Sequence, residues 1–449
     1  MNNKPPELLA PAGSLKMMRY ALAYGADAVY AGQPRYSMRV RNNQFSPAVI
    51  QKGINETHAL GKLFYLAVNI IPHNSKLKTF LSDLEPMIAM QPDALIMADP
   101  GLIMMVRERW PDMPIHLSVQ MNTINYASVK FWKALGVERI ILSRELSLDE
   151  VAEIRQECPD TELEVFVHGA LCIAYSGRCL LSGYFNHRDP NQGTCTNSCR
   201  WEYKTVEATE NAEGESIPIL SADALNNSGC GDQARHPLAD KTYFLEEAKR
   251  PGEYLPITED EHGTYIMNSK DLRAVEHLGR LVEMGIDCVK IEGRTKSHYY
   301  AARTAQVYRK AIDDAYQGKT FDDKLLGVLE NLANRGYTDG FFQRHHTHEY
   351  QNYIANASQH HQQQFVGEML GYNAELNMAE IEVKNHFRLG DRLEIVHPNG
   401  NTEITLETME SLKGEAMEVA PGSGYKVRIP WPRSYSDKAL IARFLPLKK

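Results

Sequence analysis

The chain has 449 residues, 43% of them hydrophobic and 24% charged, and a formal net charge of −8. That length points to two or three folding units, with a core large enough to need no disulfide staple. The acidic balance excludes a protein whose whole surface wraps nucleic acid, so any RNA contact has to come from a local patch.

The opening stretch Met1-Asn2-Asn3-Lys4-Pro5-Pro6-Glu7 lacks the charged and apolar regions of a secretory signal. No apolar run approaches the ~20 residues of a membrane helix. A cytoplasmic protein with no membrane partner is therefore expected. In that reducing compartment, clustered cysteines point to metal or redox chemistry more than to disulfides.

From Glu7 onward, short apolar and β-branched runs alternate with helical patterns. The predicted strands are Glu7–Ala12, Asp27–Gly32, Lys62–Ile70, Ala94–Asp99, Pro114–Gln120, Arg139–Ser143 and Leu163–Gly169. Helical periods lie between them at Ser14–Tyr24, Lys76–Met90, Tyr126–Ala134 and Ser147–Glu157, with Ser14 and Ser147 as N-caps. This rhythm means βαβ units and a parallel sheet. Asp287–Gly293, followed by a helix from about Ser297 to Tyr316, supplies the eighth strand that a closed (β/α)8, TIM-like barrel needs. Thr264–Asn268 reads as part of the insert or as a competing claimant for a barrel slot.

The stretch at about 170–260 breaks the rhythm and reads as a cysteine-rich insert in a barrel unit spanning 1–342. Residues 343–364 are rich in His, Gln and Asn and read as a connector. His345, His346 and His348 within it fit a polar linker better than a metal site. From 365 to 449, short strands separated by turn signals point to a small antiparallel β-barrel domain.

Cys172, Cys179, Cys195 and Cys199 fall within 28 residues, at gaps of six, fifteen and three. Four soft thiolates select an iron–sulfur cluster or zinc. Only Cys195 and Cys199 are spaced as a zinc knuckle, so a 4Fe–4S cluster is favoured, with zinc or unligated thiols as alternatives. His168, Ser176, Arg178, Ser182, Arg188 and Arg200 surround these cysteines in the sequence. The arginines either offset thiolate charge or hold an anionic cosubstrate in bidentate contacts. Cys158, Cys230 and Cys288 have no partner spacing.

TIM-barrel chemistry gathers at the C-terminal strand ends. Here those ends carry Gly32, Asn69, Asp99, Gln120 with Asn122, Ser143 with Arg144 and Glu145, His168, and Glu292 with Arg294. His116, Ser118 and Gln120 share one strand face, as do Lys290 and Glu292. A Lys290–Glu292 or cross-strand ion pair filling the barrel and an active-site role for Glu292 are both open. Arg35-Tyr36-Ser37-Met38-Arg39-Val40-Arg41 and the helix after Glu292 fit either RNA contact or an ordinary solvated face.

Several motifs are familiar. They are Phe166-Val167-His168-Gly169-Ala170-Leu171-Cys172, Tyr175-Ser176-Gly177-Arg178-Cys179-Leu180-Leu181-Ser182, Cys195 and Cys199-Arg200, Glu7-Leu8-Leu9-Ala10-Pro11-Ala12-Gly13, Gly25-Ala26-Asp27-Ala28-Val29-Tyr30-Ala31-Gly32, Asn268-Ser269-Lys270-Asp271-Leu272 and Lys290-Ile291-Glu292-Gly293-Arg294. Over almost its whole length the chain resembles the collagenase-like peptidase U family. Its most similar branch forms 5-hydroxyuridine at the wobble position of tRNA in a prephenate-dependent reaction, the first step toward 5-carboxymethoxyuridine. Other members hydroxylate a ribosomal RNA cytidine or a ubiquinone ring without oxygen.

The resemblance implies an iron–sulfur cluster on Cys172, Cys179, Cys195 and Cys199. It also implies prephenate, or a related acid, as cosubstrate, and the tRNA anticodon loop as partner. His168, Arg178 and Glu292 are the expected catalytic residues. The family label also carries a peptidase reading, but no Gly-x-Ser-x-Gly elbow or His-Glu-x-x-His helix is present. A non-catalytic RNA-binding scaffold is the third reading.

Overall fold

The computed structural model describes residues 4–38, 44–172, 174–178, 208–210, 216–218, 243–246, 254–260, 263–265, 270–334, 336–343, 363–432, 435 and 437–445. Strand and helix alternate from the start: β1 (Glu7–Pro11), α1 (Leu15–Ala23), β2 (Ala28–Gly32), α2 (Pro47–Ala59), β3 (Leu63–Val68), α3 (Asn74–Ala89), β4 (Ala94–Met97), α4 (Pro100–Arg109), β5 (Ile115–Leu117), α5 (Tyr126–Ala134), β6 (Arg139–Ile141), α6 (Leu148–Glu157) and β7 (Glu162–Ala170). The strands are buried almost throughout, which is why they read as unbroken apolar runs. Helix starts follow the sequence signals. The Ser14 hydroxyl accepts from the Met17 amide, and Ser147 forms a reciprocal capping box with Glu150.

After the insert, β13 (Asp271–Arg273) precedes α7 (Leu278–Glu283), β14 (Cys288–Ile291), α8 (His298–Tyr316), α9 (Lys324–Glu330) and β15 (Tyr337–Thr338). β14 pairs in parallel with both β1 and β7 and closes an eight-stranded parallel barrel. The expected TIM-like architecture is therefore present, with Asp287–Gly293 supplying the closing strand. The claimant at Thr264 is not a barrel strand. Inside the insert, β8 (Ala208–Glu210) pairs antiparallel with β9 (Ser216–Pro218), and β11 (Tyr254–Asp260) pairs antiparallel with both β10 (Tyr243–Glu246) and β12 (Gly263–Tyr265). β13 was not foreseen. It runs antiparallel along the end of β7, Asp271 opposite Ala170 and Arg273 opposite His168, and pairs with β15 on its other side.

The barrel interior holds charge as well as apolar side chains. Lys290 Nζ lies 2.8 Å from Glu164 Oε1, and both side chains are almost completely buried. Arg139 lies 2.8 Å from Glu7 and 3.6 Å from Glu164, and Tyr65 donates to Glu7 at 2.8 Å. The cross-strand ion pair for Lys290 is thus present, and its partner is Glu164 rather than Glu292.

The C-terminal domain is antiparallel. Its main sheet uses β16 (Gln363–Asn373), β17 (Met378–Val383), β19 (Arg392–Val396), β20 (Thr402–Thr405), β21 (Glu410–Ser411), β23 (Lys426–Pro430) and β24 (Leu440–Phe444) in the order β20-β19-β24-β16-β17-β23-β21. β18 (Phe387–Arg388) and β22 (Val419–Ala420) form a separate ribbon. Its own core includes Val366, Ile381, Leu393, Ile429 and Trp431.

This domain docks on α1 and α8. The Tyr24 hydroxyl donates to the carbonyls of Val396 at 2.7 Å and Lys438 at 2.9 Å. Buried Arg303 meets Glu394 at 2.9 Å. Glu368, 3% exposed, is enclosed by Lys16, by His298 at 2.8 Å and by Lys384 at 3.2 Å. Burial opposes ionisation of Glu368, but hydrogen bonds led by that from His298 outweigh it and hold its carboxyl well below the usual range.

Two outcomes follow from this packing. Lys290→Met leaves Glu164 buried without its lysine and is expected to cost about 3–5 kcal/mol. Adding Glu164→Leu should return part of that loss, measured by urea denaturation as a double-mutant cycle. Because the Glu368 pKa is depressed in the folded state, its stabilisation is fully present above the unfolded carboxyl pKa of about 4.3 and is lost as pH falls below it. Glu368→Gln should therefore flatten the acid limb of the stability–pH curve, with the wild type steeper below that pH.

Candidate active site

The C-terminal strand ends enclose a cleft of about 620 Å³, counting its open mouth. Its lower wall comes from β2, β3 and β5: Tyr30, Ala67, Asn69, Ser118 and Gln120. Arg144 and Phe166 line the side after β6 and along β7. Lys290, Glu292 and Arg294 arrive with β14 and the turn after it, and Cys172 and Ser176 close the rim. The predicted rim residues Asn69, Gln120, Arg144, Glu292 and Arg294 therefore converge on one space. Asp99 does not join them, because its carboxylate caps α4 by accepting from the Leu102 amide at 2.9 Å.

Several cations reach this space although the chain as a whole is acidic. Arg144 lies over the Phe166 ring, 3.9 Å from its centroid, and donates to the Ala170 carbonyl at 3.0 Å. Arg294 donates to the Met38 carbonyl at 3.0 Å. Lys290 lies 4.5 Å from the Tyr30 ring centroid, with its charge answered by Glu164. The Tyr30 hydroxyl is 3.2 Å from Glu292 Oε2 and 3.0 Å from the Ile291 carbonyl, so it can hold the carboxylate in place. The backbone of this turn is as constrained as its side chains. Gly169 has φ +104°, and a Cβ there would lie 2.4 Å from the Glu292 carbonyl oxygen.

Of the four predicted cluster cysteines, Cys172 is exposed on the cleft and its thiol forms no disulfide. Cys179, Cys195 and Cys199 lie outside the described residues. One residue secures the segment that bears Cys172. Asn122, in the left-handed region at φ 50°, donates to the Ser176 carbonyl at 3.0 Å and accepts from Arg178 Nε at 3.2 Å. Arg178 is thus held by its Nε two residues beyond the rim residue Ser176 and does not itself line the cleft. Cys172 is thus an accessible soft donor beside the cations of the cleft.

His168 requires a correction. Strand alternation places it on the cleft side with Phe166, and the sequence made it a catalytic candidate. The β7–β14 register shifts between these residues, Phe166 opposing Lys290 and His168 opposing Ile291, and this irregularity re-aims the imidazole. The ring is 1% exposed and packs among Tyr300, Tyr308 and Tyr337, with centroids 5.4–5.7 Å away. Nδ1 is 3.2 Å from the Tyr308 hydroxyl. Burial, with Lys296 and Arg273 adding like charge, pushes its pKa down to about 3. A neutral imidazole behind the barrel wall does not reach substrate. Its main chain matters more, since the Glu292 amide donates to the His168 carbonyl at 2.8 Å.

The possible RNA-facing segments are also altered. Tyr36 is fully buried and donates to Asp83 at 2.7 Å, so it is a core residue, and Arg35 pairs with the same carboxylate. Arg39 and Arg41 lie outside the described residues, as do His345, His346 and His348. On α8, Arg303 faces the C-terminal domain, and Arg309 pairs with Asp27 at 2.8 Å and Asp313 at 2.6 Å. Tyr30 and Phe166 were not singled out as site residues. Their position facing the barrel interior, one or two residues before a polar strand end, was the available signal.

No described helix is long and apolar enough to cross a membrane. The model for peptidase family U32 matches residues 13–352, and that for the family's C-terminal domain matches residues 361–443. A tRNA hydroxylation protein P from Escherichia coli is 61% identical over 98% of this chain and 96% of its own length. Its namesake from Haemophilus influenzae is 58% identical over 98% and 96%. A protein named collagenase from Porphyromonas gingivalis is 27% identical over 99% of both chains. With both family models matched and relatives of this identity aligned end to end, the chain belongs to peptidase family U32.

Proposed function

We propose that the chain hydroxylates tRNA, forming 5-hydroxyuridine at the wobble position without molecular oxygen as the first step toward 5-carboxymethoxyuridine. Prephenate, or a related acid, is the hydroxyl donor, and the reaction belongs in the cytoplasm, where tRNA is found. The observation that carries this reading is the convergence of the exposed Cys172 thiol, several cations and Glu292 on one barrel-mouth cleft. Two relatives named tRNA hydroxylation protein P, 61% and 58% identical to this chain, support a hydroxylation of tRNA.

Cys172, with Cys179, Cys195 and Cys199, would hold a 4Fe–4S cluster. When bound, it would supply electron transfer at the cleft. The chain's own residues do the rest. Arg178, fixed through its Nε by Asn122, offers its remaining guanidinium donors to a carboxylate of the acid. Arg144 and Arg294 set a positive local field that suits both the acid and the tRNA backbone. The uridine enters unstacked from the anticodon loop, because C5 is not reachable within a stack. Glu292, held by Tyr30, accepts the proton that C5 loses. The donor's C–O bond breaks with its electron pair left on the donor carbon, which takes up a proton. The uridine is oxidised and the acid reduced by two electrons.

A peptidase mechanism finds little support in this geometry. His168, the histidine nearest Cys172 in sequence, is buried away from the cleft among tyrosines, and burial makes it a weak base, so it is not placed to activate that thiol.

Nucleoside analysis of tRNA from a deletion strain tests the proposal. Wild-type complementation should restore 5-hydroxyuridine, and Cys172→Ala should abolish it. Protein purified without oxygen should be brown and carry about four irons per chain. Full activity of Cys172→Ala, or a colourless protein that cleaves denatured collagen, would overturn the reading. Glu292→Gln should lower hydroxylation by about 10²-fold or more while the iron content stays unchanged, in line with loss of a general base. Asn122→Ala should weaken dependence on the donor acid, seen as a higher KM for it, because Arg178 loses its anchor.

A further inference from the structure

Gln120 is 2% exposed and lines the cleft, yet its Nε2 is buried with no hydrogen-bond partner among the described residues. A buried amide donor left unpaired costs free energy, so its retention calls for a ligand. The orientation of this amide can be traced from the backbone outward. The Met38 amide can only donate, and it donates to Asn69 Oδ1 at 3.1 Å. That leaves Asn69 Nδ2 to donate to Ser118 Oγ at 3.4 Å. Ser118 in turn donates to Gln120 Oε1 at 3.1 Å. With its carbonyl engaged by Ser118, the unpartnered part of this cleft-lining side chain is its N–H donors.

We propose that Gln120 determines base specificity by donating to the C4 carbonyl of the target pyrimidine. This inference rests on the reading of the chain as a tRNA uridine hydroxylase. A charged acid is better met by the guanidiniums of Arg144, Arg178 and Arg294, which form stronger, charge-assisted contacts. A neutral amide suits a neutral carbonyl, and uracil presents one beside the carbon that is hydroxylated. Cytosine carries an amino group at the same position. It would set donor against donor and leave both groups buried and unpaired, the arrangement that gives polar sites their strongest discrimination. The relay through Ser118 and Asn69 to a main-chain amide keeps Gln120 from rotating to accept instead.

The test uses the full chain in the deletion strain, with 5-hydroxyuridine and 5-hydroxycytidine quantified in tRNA. A plasmid-borne target tRNA with cytidine at the modified position serves as the competing substrate. Gln120→Met keeps length and volume but removes the donor, and it should cut uridine hydroxylation by about 10- to 100-fold. Gln120→Glu places an acceptor there and should raise the cytidine-to-uridine product ratio at least tenfold, a change that mere loss of packing would not produce. Thermal melts establish that each variant is folded; if Gln120→Glu is not, Gln120→Met and the product ratio of Ser118→Ala decide. Wild-type levels of 5-hydroxyuridine in folded Gln120→Met would overturn the assignment of Gln120 alone. Absence of 5-hydroxyuridine with the wild type would instead overturn the function on which it rests.

Discussion

Lys290 has to be buried for the barrel to close, and a buried ammonium has to be answered. Its strand arrives after the insert and enters between β1 and β7, so the charge comes to rest among apolar side chains and aromatic rings. Glu164, on the neighbouring strand, meets it at 2.8 Å. Arg139 and Glu7 extend the arrangement toward the other end of the barrel. An ion pair of this kind adds little net stability over an apolar pair of similar shape, but breaking it by half is costly. We read its value as specificity: it selects one register for β14. That register places Glu292 and Arg294 at the mouth, where the candidate chemistry gathers.

The barrel was legible from the residues because its strands are buried on both faces. Runs such as Leu63–Val68 and Ala94–Met97 carry no alternation to obscure them, and serine and asparagine mark the helix starts. The rim was legible for a similar reason, since a polar residue ending an apolar run stands out. What escaped was whatever depends on a local irregularity or a distant partner. One register shift moves His168 from the cleft to the layer behind the wall, and no period-2 reading contains it. Tyr36 resembles a stacking aromatic beside arginines until Asp83, forty-seven residues later, claims its hydroxyl. β13 is three residues long and pairs with an element that sequence patterning had already assigned to the barrel.

The acidic net charge and a nucleic-acid substrate are reconciled by distribution. The chain carries −8 overall, whereas three of the four charged residues lining the cleft are cations, with Arg178 beside them. Lys290 is neutralised by Glu164, so the field offered to a ligand comes chiefly from the arginines, two of which are held against protein carbonyls. Such groups need little reorganisation when an anion arrives. Under the proposed function, fixed guanidiniums would meet the acid and a fixed amide the base within one small cleft.

The junction at the end of β7 has an architectural consequence. Ala170 and Asp271 are direct neighbours across an antiparallel ladder, so the hundred residues between them depart and return through a single gateway. The entropy of closing such an excursion grows only with the logarithm of its length. Residues can therefore be gained, lost or exchanged within it at small cost to the barrel, as long as the two gateposts keep their pairing. A scaffold of this kind can acquire a new substrate by rewriting the excursion while its strands stay where they are.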